Sequence, residues 1–234
     1  MKNSLTIIIP AHNEQEILES TILNILKNLK LKDYTILICN DHSTDGTLTI
    51  AKMLSKKYRK VKYLSNLNKP GFGNVLMIGF LSSKSELVIP MMADLCDDPK
   101  TIPLMIQKIN QGYDIICGSR YIKGGKKIQE NVLKDFFSRI IGTLCHILIG
   151  INTLDITNAF KMYKKEIFKN IQIENKDFSI SMEIPLKAYF KGYKISEVPT
   201  TWTTRKLGKS KFAVSKMGPS YFKLFIQALN HKLF

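Results

Sequence analysis

Short apolar segments alternate with amphipathic segments through the first half of the chain. Runs of branched apolar residues bounded by polar turns predict buried strands at residues 5–10, 34–39, 61–65, 86–91 and 113–118. Between them, apolar residues recur every three or four positions, which predicts helices over residues 14–29, 46–58, 71–83 and 99–111. This alternation indicates an α/β domain with a mostly parallel sheet and helices on both faces.

The second half of the chain has a different pattern. It predicts a polar loop at 122–131, an amphipathic helix over 132–149, a strand at 158–163, a helix around 181–190, a strand at 194–198 and a basic loop at 205–211. We find no internal repeat and no low-complexity linker. Residues 1–212 are therefore interpreted as a single domain that includes a helical extension, followed by an amphipathic, basic tail at 213–234.

The composition indicates a globular domain with anionic partners. The chain has 234 residues, of which 44% are hydrophobic, enough for one large α/β domain with its own core. A total of 35 lysines and arginines against 19 acidic residues gives a formal charge of +16. Such a charge favours nucleic acid, phosphorylated substrates or an anionic membrane leaflet as partners, and it carries no information about the fold.

The cysteines and the apolar runs bear on the compartment. None of Cys39, Cys96, Cys117 and Cys145 forms a Cys-x-x-Cys pair, and we expect buried, reduced thiols in a cytoplasmic protein. The apolar run at 5–9 lacks the length of a signal peptide, and the run at 140–151 is far short of the ~20 residues that span a bilayer. Any membrane contact is therefore expected to be peripheral.

Polar residues collect after four of the predicted strands, at the edge where an open parallel sheet binds its ligands. The four sets are residues 10–14, 40–47, 92–99 and 118–121. Three of them contain carboxylates, although the protein is strongly basic. A divalent cation between carboxylate and diphosphate would reconcile the two observations, and Mg²⁺ or Mn²⁺ suits such oxygen ligands.

Each set taken alone also fits a structural role. Ser43, Thr44 and Asp45 are good N-cap residues for the helix predicted to follow, and Asp98-Pro99 is a typical helix start. The chain has neither a Gly-x-Gly-x-x-Gly dinucleotide loop nor a Walker-type Gly-Lys-Ser/Thr loop. The joint occurrence of the sets at one sheet edge favours a ligand site over separate helix caps.

Several motifs occur in the order of a known family. They are Pro10-Ala11-His12-Asn13-Glu14, Asn40-Asp41-His42-Ser43-Thr44-Asp45-Gly46-Thr47, Asn68-Lys69-Pro70-Gly71-Phe72-Gly73, Gly118-Ser119-Arg120-Tyr121, Asp155-Ile156-Thr157-Asn158-Ala159-Phe160-Lys161, and Glu197-Val198-Pro199 followed by Arg205, Gly208, Ser210 and Lys211. Together they resemble the GT-A fold glycosyltransferases of family 2, in particular the dolichyl- and polyprenyl-phosphate mannose or glucose synthases. The resemblance runs from residue 7 to residue 211 and implies a Rossmann-like GT-A domain with an acceptor-side helical extension.

The resemblance implies roles for residues at matching positions. Donor-binding residues would be Pro10, Asn13, Glu14, Asp41 (at the nucleotide base), Asp45, Gly73, Asp94 and Ser210. Catalytic side chains would be Asp94, at the metal and the diphosphate, and the cations Arg120, Arg205 and Lys211. The acceptor side would include Arg120, Arg139, Thr157 and Glu183. For Arg139, an ordinary helix-surface position is the favoured interpretation.

Three positions depart from the family pattern. The usual Asp-x-Asp is replaced by Met92-Ala93-Asp94, Cys96 stands where Gln or Ser is frequent, and Ser-Gly-Phe is replaced by Asn158-Ala159-Phe160. The first departure leaves Asp94 as the metal ligand, alone or assisted by Asp97 or Asp98, or implies a weaker dependence on metal. Helix capping is the favoured interpretation of Asp97 and Asp98.

The resemblance also implies an activity. It would be transfer of a hexose, with inversion, from a GDP- or UDP-sugar to polyprenyl or dolichyl phosphate on the cytoplasmic face of a membrane. The apolar residues of 132–149 and 221–234 fit either a membrane interface or core and dimer packing; core packing is favoured for the first segment. Formation of a homodimer is one of the alternatives that the sequence leaves open.

Three alternatives stay open beside this activity. One is the same fold with a saccharide or a lipid-linked glycan as the acceptor, and another is a relative without catalysis, suggested by Met92. The third is a nucleic-acid-binding protein, which only the charge suggests. Because the chain lacks interleaved basic and aromatic residues, we expect no nucleic acid partner.

Overall fold

A computed structural model of the chain describes residues 4–128, 132–205 and 214–233. Its strands are β1 (Leu5–Ala11), β2 (Tyr34–Asn40), β3 (Val61–Ser65), β4 (Leu87–Pro90), β5 (Ile115–Ser119), β6 (Lys126–Ile128), β7 (Lys161–Lys164), β8 (Ile195–Pro199) and β9 (Thr201–Thr203). Seven of them form one sheet in the order β3-β2-β1-β4-β7-β5-β8. Strand β7 is antiparallel to both neighbours and the other pairs are parallel. The mostly parallel α/β sheet predicted from the sequence is confirmed.

Helices cover both faces of this sheet. They are α1 (Leu18–Asn28), α2 (Thr47–Lys57), α3 (Phe72–Ser82), α4 (Ile102–Asn110), α5 (Val132–Leu144), α6 (Ile167–Asn170), α7 (Ile180–Phe190) and α8 (Val214–Leu233). A 3-10 turn precedes α4 and a π-helical turn follows α5. Side chains alternate along β1, so that Ile7 and Ile9 join the core that contains Ile22 of α1, whereas Ile8 joins the core that contains Phe80 of α3.

The second half differs most from the prediction. The predicted polar loop at 122–131 contains β6, which pairs in parallel with β9 in a separate two-stranded sheet. Strand β6 has exposed ends and buries no face, so it lacks the alternating pattern on which strand prediction depends. The strand predicted at 158–163 begins only at Lys161, because the Asn158 side chain donates to Gly118 O (2.8 Å) and the segment before β7 is irregular.

The two apolar segments of the C-terminal half are each divided between core and surface. Helix α5 and the turn after it bury Ile141, Cys145 and Ile149 but leave Phe136, Ile140, Ile147 and Leu148 exposed. The prediction that this helix belongs to the core is therefore only partly right. Helix α8 buries Tyr221, Leu224, Phe225 and Ala228 in the core shared with α3 and α7, and exposes Phe222 and Ile226.

The sequence predicts that the cysteines are buried thiols and that the apolar segments are too short to span a membrane. All four cysteines are buried free thiols, as predicted. Among the helices that the structure describes, none is long and apolar enough to cross a membrane. Most of the predicted basic loop, including Ser210 and Lys211, lies outside the described residues.

Candidate functional site

Side-chain hydrogen bonds join the loops that follow β1 and β2. Asn13, whose φ of 54° is left-handed, accepts a hydrogen bond from Thr44 N through its Oδ1 (2.8 Å). The backbone N–H of Asn13 donates to Ser43 Oγ (3.1 Å), and that of Glu14 donates to Thr47 Oγ1 (2.8 Å). Asn13 and Glu14 therefore lie at the predicted sheet edge, in a conformation that the second loop fixes.

Asp45 stabilises the start of α2. Its Oδ1 accepts hydrogen bonds from Thr47 N (2.9 Å) and Thr47 Oγ1 (2.5 Å), and its Oδ2 accepts one from Gln15 N (3.2 Å). Desolvation acts to raise the pKa of the Asp45 carboxyl, but these hydrogen bonds outweigh it and the pKa lies below its usual range. Asp45 thus binds the first residue of α2, while the N-cap position itself is occupied by Gly46.

Asp41 lines a cavity of 260 Å³ at the ends of β1 and β2, which we call the Asp41 cavity. The other lining residues include Pro10, His12, Gly71, Phe72, Met92 and Phe178. Asp41 Oδ1 accepts from Asn66 Nδ2 (2.8 Å) and Oδ2 accepts from Gly71 N (2.9 Å). Gly71 has a φ of 141°, which favours glycine. Because each carboxylate oxygen has further lone pairs, Asp41 can also accept a hydrogen bond from a ligand in the cavity.

Residues 174–178 pack against the start of α3, beside this cavity. Gly73 N donates to Lys176 O (2.9 Å), and a Cβ at Gly73 would lie 2.8 Å from a backbone oxygen of the segment, so the contact requires glycine. The ring of Phe178 stacks on that of Phe72, with centroids 4.2 Å apart. Gly73 therefore shapes the Asp41 cavity through backbone packing.

Glu183, predicted on the acceptor side, holds this segment in place. Its buried carboxylate accepts hydrogen bonds from Glu174 N (2.8 Å), Asn175 N (2.9 Å) and Asn175 Nδ2 (2.9 Å), and it pairs with Lys187 Nζ (2.8 Å). Burial acts to raise the pKa of Glu183, but these partners outweigh it and the pKa is lowered. Glu183 is thus engaged by protein groups and fixes the backbone of residues 174–175, next to the start of α3.

Asp94 and Asp97 follow β4. Asp94 is half-buried, and its Oδ1 accepts from Cys96 N (3.2 Å). Asp97 is buried, and its Oδ2 accepts from Met92 N (2.9 Å). Burial raises the pKa of Asp97 to about 7; the Met92 hydrogen bond opposes this rise and the nearby Asp94 carboxylate adds to it. The two carboxylates therefore lie within electrostatic range of each other.

Asp98 has the capping role that its sequence context favoured, whereas the same interpretation of Asp97 is wrong, because Asp97 binds Met92 N and not a helix start. Its Oδ1 accepts from Lys100 N (3.0 Å) and caps the 3-10 turn before α4. Within the described ranges no three His, Cys, Asp or Glu side chains are grouped to hold a metal ion. Because Asp97 is buried and Asp98 caps the turn, the half-buried Asp94 is the candidate metal ligand among these three carboxylates. A single carboxylate fits Mg²⁺ or Mn²⁺ when water and substrate phosphates supply the other ligands.

Arg120, directly after β5, is held by Asp155. Its Nε donates to Asp155 Oδ2 (2.8 Å), its NH2 to Oδ1 (2.8 Å) and its backbone N–H to Oδ2 (2.9 Å). The ring of Tyr121 lies 5.3 Å and that of Trp202 5.9 Å from the guanidinium carbon. The guanidinium is therefore fixed in orientation, by a residue to which the sequence assigned no role.

Arg139 and Thr157 lie on neighbouring elements. Arg139 is exposed on α5, and its guanidinium carbon lies 5.9 Å from the ring of Tyr121, the same ring that Arg120 approaches. The exposure fits the surface interpretation of Arg139. Thr157 O accepts from Ser181 Oγ (3.0 Å), and the buried Thr157 Oγ1 has no hydrogen-bond partner in the part of the chain that the structure describes.

Arg205 forms an ion pair with Glu14 across the sheet edge. Both residues line a second cavity, of 200 Å³. Burial raises the pKa of the Cys96 thiol, and the charges of both Asp94 and Arg205 act on it, the first raising and the second lowering that pKa. Arg205 and Asp94 therefore both lie near the Cys96 thiol. The sheet edge thus combines the Asp94 carboxylate with the cations Arg120 and Arg205.

Three residues at this edge had no role assigned from the sequence, although Asp155 and Lys161 lie in one of the family motifs. Asp155 and Lys161 are fully buried, and Trp202 lies beside Arg120. Lys161 carried a signal, since a lysine between the apolar residues Phe160 and Met162 indicates a buried polar or charged partner. Trp202 lies in a short threonine-rich strand whose position depends on β6, and nothing local indicated its neighbours.

Known proteins resemble this chain in fold and, more distantly, in sequence. Glucosyl-3-phosphoglycerate synthase from Mycobacterium tuberculosis, crystallised with Mn²⁺, UDP and glucosyl-3-phosphoglycerate, superposes with a TM-score of 0.70 at 14% identity, covering 98% of this chain and 80% of that one. The fold is therefore that of the GT-A glycosyltransferases. The profile described as Glycosyl transferase family 2 matches residues 6–172, and the chain belongs to this family.

Two curated relatives cover most of the chain. A dolichol-phosphate mannosyltransferase of Pyrococcus furiosus is 34% identical over 214 residues, which is 88% of this chain and 58% of that protein. A polyprenol monophosphomannose synthase of Mycolicibacterium smegmatis is 27% identical over 225 residues, which is 93% of this chain and 84% of that protein. The chain thus spans little more than half the length of the first relative.

Proposed function

We propose that the protein transfers a hexose from a GDP- or UDP-sugar to polyprenyl or dolichyl phosphate, with inversion at the sugar carbon. The observation that carries the proposal is the meeting of Asp94, Arg120 and Arg205 at one sheet edge beside the Asp41 cavity. The names of both curated relatives, which state mannose transfer involving dolichol or polyprenol phosphate, support it.

The donor would bind across the ends of β1 and β2. The base would enter the Asp41 cavity, where Asp41 offers acceptor lone pairs, and the diphosphate would extend towards Asp94 and Arg205. Arg205 would then exchange Glu14 for the diphosphate, because an anion with several oxygens offers a guanidinium more hydrogen bonds than one carboxylate. Lys211 and Ser210 of the following segment are proposed to contribute to the same diphosphate.

A divalent metal, Mg²⁺ or Mn²⁺, would be held by Asp94 together with water and the donor phosphates, and it would supply charge neutralisation for the leaving diphosphate. The crystallisation of glucosyl-3-phosphoglycerate synthase with Mn²⁺ and UDP supports this assignment. Arg205 would contribute to the same neutralisation in a site where few waters compete. Asp97, buried behind Asp94, would orient the backbone at Met92 through its hydrogen bond.

The acceptor phosphate would approach from the side of Arg120. A phosphate monoester is already an anion near neutral pH, so it needs no residue to remove a proton before it attacks. It does need cations that lower its repulsion from the donor diphosphate, and Arg120 and Arg139 are the proposed ones. Inversion follows when the acceptor oxygen attacks the sugar carbon on the face opposite the leaving diphosphate.

Exposed apolar residues support a peripheral membrane contact on the cytoplasmic face. On α5, Val132, Leu133 and Phe136 are 81%, 66% and 63% exposed, and on α8 Phe222 is 58% exposed. These four residues, together with Ile140 and Ile226, form what we call the apolar surface. Together with the charge of +16, such side chains favour insertion into an anionic membrane interface.

The activity can be tested with labelled nucleotide-sugars and purified polyprenyl phosphate in the presence of Mg²⁺ or Mn²⁺. We expect a labelled lipid that mild acid hydrolyses, and no labelled lipid with Asp94→Ala. An acid-stable labelled lipid or a labelled saccharide would instead favour a lipid-linked glycan or a saccharide as the acceptor. Absence of lipid product with every GDP- and UDP-hexose would contradict the proposal.

A further inference from the structure

Arg120 does not face the proposed acceptor as an isolated cation. Its two guanidinium hydrogen bonds to Asp155 are both 2.8 Å long, and Asp155 is fully buried. Burial acts to raise the pKa of Asp155, but the charge of Arg120 and its hydrogen bonds outweigh this and lower that pKa, so the carboxylate is ionised. Such a pair fixes the plane of the guanidinium, and it also cancels the charge that an anionic ligand would experience.

A buried lysine changes the charge of this pair. Lys161 is 0% exposed, and its Nζ donates to the carbonyl oxygens of Ile156 (2.8 Å) and Asn158. Both acceptors are uncharged, while Asp155 and Arg120 lie within electrostatic range of Lys161. An apolar side chain would suit this strand position better if stability alone mattered, because burying a charge is costly. The cluster of Arg120, Asp155 and Lys161 holds two cations and one anion.

We propose that Asp155 is a positioning residue for Arg120, and that Lys161 keeps this cluster cationic towards the acceptor phosphate. The inference rests on the proposed function and concerns only its acceptor side. Without Asp155 the guanidinium would lose its fixed plane, and without Lys161 the cluster would be neutral. Both residues act through Arg120, and neither is assigned a contact with the substrate.

Two further ionisable groups adjoin this cluster. The Cys117 thiol of β5 is buried, which raises its pKa to about 11, so it stays uncharged near neutral pH. Glu197 of β8 is joined to the cluster through Thr153, whose hydroxyl donates to Glu197 Oε2 (2.9 Å) and accepts from Asp155 N (3.1 Å). Glu197 is half-buried, so water screens its charge more than that of the cluster.

The only tryptophan of the chain, Trp202, provides a local probe, since its ring lies 5.9 Å from the Arg120 guanidinium carbon. Its fluorescence would follow a titration with farnesyl phosphate without turnover, and a titration with GDP or UDP serves as the donor-side control. We expect Asp155→Asn to weaken farnesyl phosphate binding about tenfold, because an amide cannot accept both guanidinium bonds. Lys161→Met should weaken it roughly threefold or more, because the cluster loses its net charge. Nucleotide binding should not change.

Equal affinity of Asp155→Asn and the wild-type protein for farnesyl phosphate would overturn the inference. An equal loss of farnesyl phosphate and nucleotide binding would also overturn it, since that pattern indicates a general structural defect. The same fluorescence titration can be repeated with the wild-type protein at several pH values, and this test does not require any variant to fold.

Burial lowers the pKa of Lys161 to about 8, so the wild-type affinity for farnesyl phosphate should fall as the pH rises through that value. The fall near pH 8 should be smaller in Lys161→Met than in the wild-type protein, since Asp97, which lies within electrostatic range of Arg120 and has a pKa of about 7, titrates in both proteins. Identical pH profiles of the two proteins would exclude the role of Lys161. The proposed function fails separately if the wild-type protein neither binds farnesyl phosphate nor glycosylates polyprenyl phosphate. If the wild-type protein is active and both variants bind farnesyl phosphate as tightly as it does, only this inference is overturned.

Discussion

The guanidinium of Arg205 is paired with the carboxylate of Glu14, a residue 191 positions earlier in the chain. The pair joins the end of β1 to the segment after β9, and both side chains are nearly buried, at 13% and 8% exposure. A donor diphosphate that binds Arg205 must therefore compete with Glu14. This competition makes the contribution of each partner separable by experiment.

Glu14→Gln should strengthen the binding of GDP or UDP, whereas Arg205→Gln should weaken it. Release of Arg205 from a charged partner is expected to favour the nucleotide by about 1 kcal/mol, or roughly fivefold in affinity. Loss of a charged hydrogen-bond donor to phosphate should cost about 1.5–3 kcal/mol. Isothermal titration calorimetry measures both. Weaker nucleotide binding by Glu14→Gln would instead indicate that Glu14 itself contacts the donor.

Asp94→Asn should abolish most of the transferase activity while leaving the fold intact. Replacing the carboxylate by an amide removes the proposed metal ligand, and we expect turnover to fall by about 10²- to 10³-fold, as for other groups that stabilise transition-state charge. Titration with Mn²⁺ in the presence of nucleotide should show weaker Mn²⁺ binding by Asp94→Asn than by the wild-type protein, which tests the metal ligand independently of activity.

Asp98→Ala is the matched control for Asp94. Because Asp98 caps the 3-10 turn before α4, its loss should lower the free energy of unfolding by about 1 kcal/mol. Activity should change much less than with Asp94→Asn. A similar loss of activity in both variants would show that Asp98 assists the metal after all.

The sheet and its functional edge could be predicted because both depend on local sequence. Strand β1 is an uninterrupted buried run, and the polar residues after it mark the end of the strand wherever its neighbours lie. The positions of Asn13, Asp41 and Asp94 at one edge then follow from the parallel arrangement alone. This part of the site required no knowledge of side-chain contacts.

The partners of the charged residues could not be predicted in the same way. Arg120 and Asp155 are 35 positions apart, and their contact depends on the insertion of an antiparallel β7 between β4 and β5. Glu183 was placed on the acceptor side because of its helix, but its carboxylate binds the backbone of residues 174–175, a contact that no periodicity encodes. Strand β9 is formed by pairing with the distant β6 and by backbone contacts with residues 96–97.

Glu183→Gln should destabilise the protein in a pH-dependent manner. The pKa of Glu183 is lowered in the folded state, so its stabilising contribution is present above the ordinary value of 4.5 and is lost as the pH falls through the folded value. Near pH 7 the loss of the charged hydrogen bonds should cost about 1–3 kcal/mol. Urea denaturation at several pH values should show the difference from wild type shrinking on acidification.

Glu174→Gln provides the control for Glu183. Both carboxylates pair with Lys187, but the side chain of Glu174 is 68% exposed whereas that of Glu183 is 1% exposed. We expect the exposed pair to contribute at most about 0.5 kcal/mol. Equal effects of the two substitutions would contradict the view that burial makes Glu183 the support of residues 174–175.

Phe136→Asp and Phe222→Asp should each weaken binding to vesicles that contain anionic phospholipid. Insertion of a fully exposed phenylalanine contributes about 1.5–3 kcal/mol, and these two rings are 63% and 58% exposed, so we expect roughly tenfold lower partitioning for each variant. Leu104→Asp is the control, since Leu104 is 43% exposed on α4, whose buried residues belong to a different core cluster from those of α5 and α8. Sedimentation with vesicles measures the partitioning, and analytical ultracentrifugation without lipid measures the oligomeric state. Equal partitioning of Phe136→Asp and Leu104→Asp would contradict the membrane role. If in addition the wild-type protein were a dimer that Phe136→Asp dissociates, the apolar surface would be an interface between two copies of the chain.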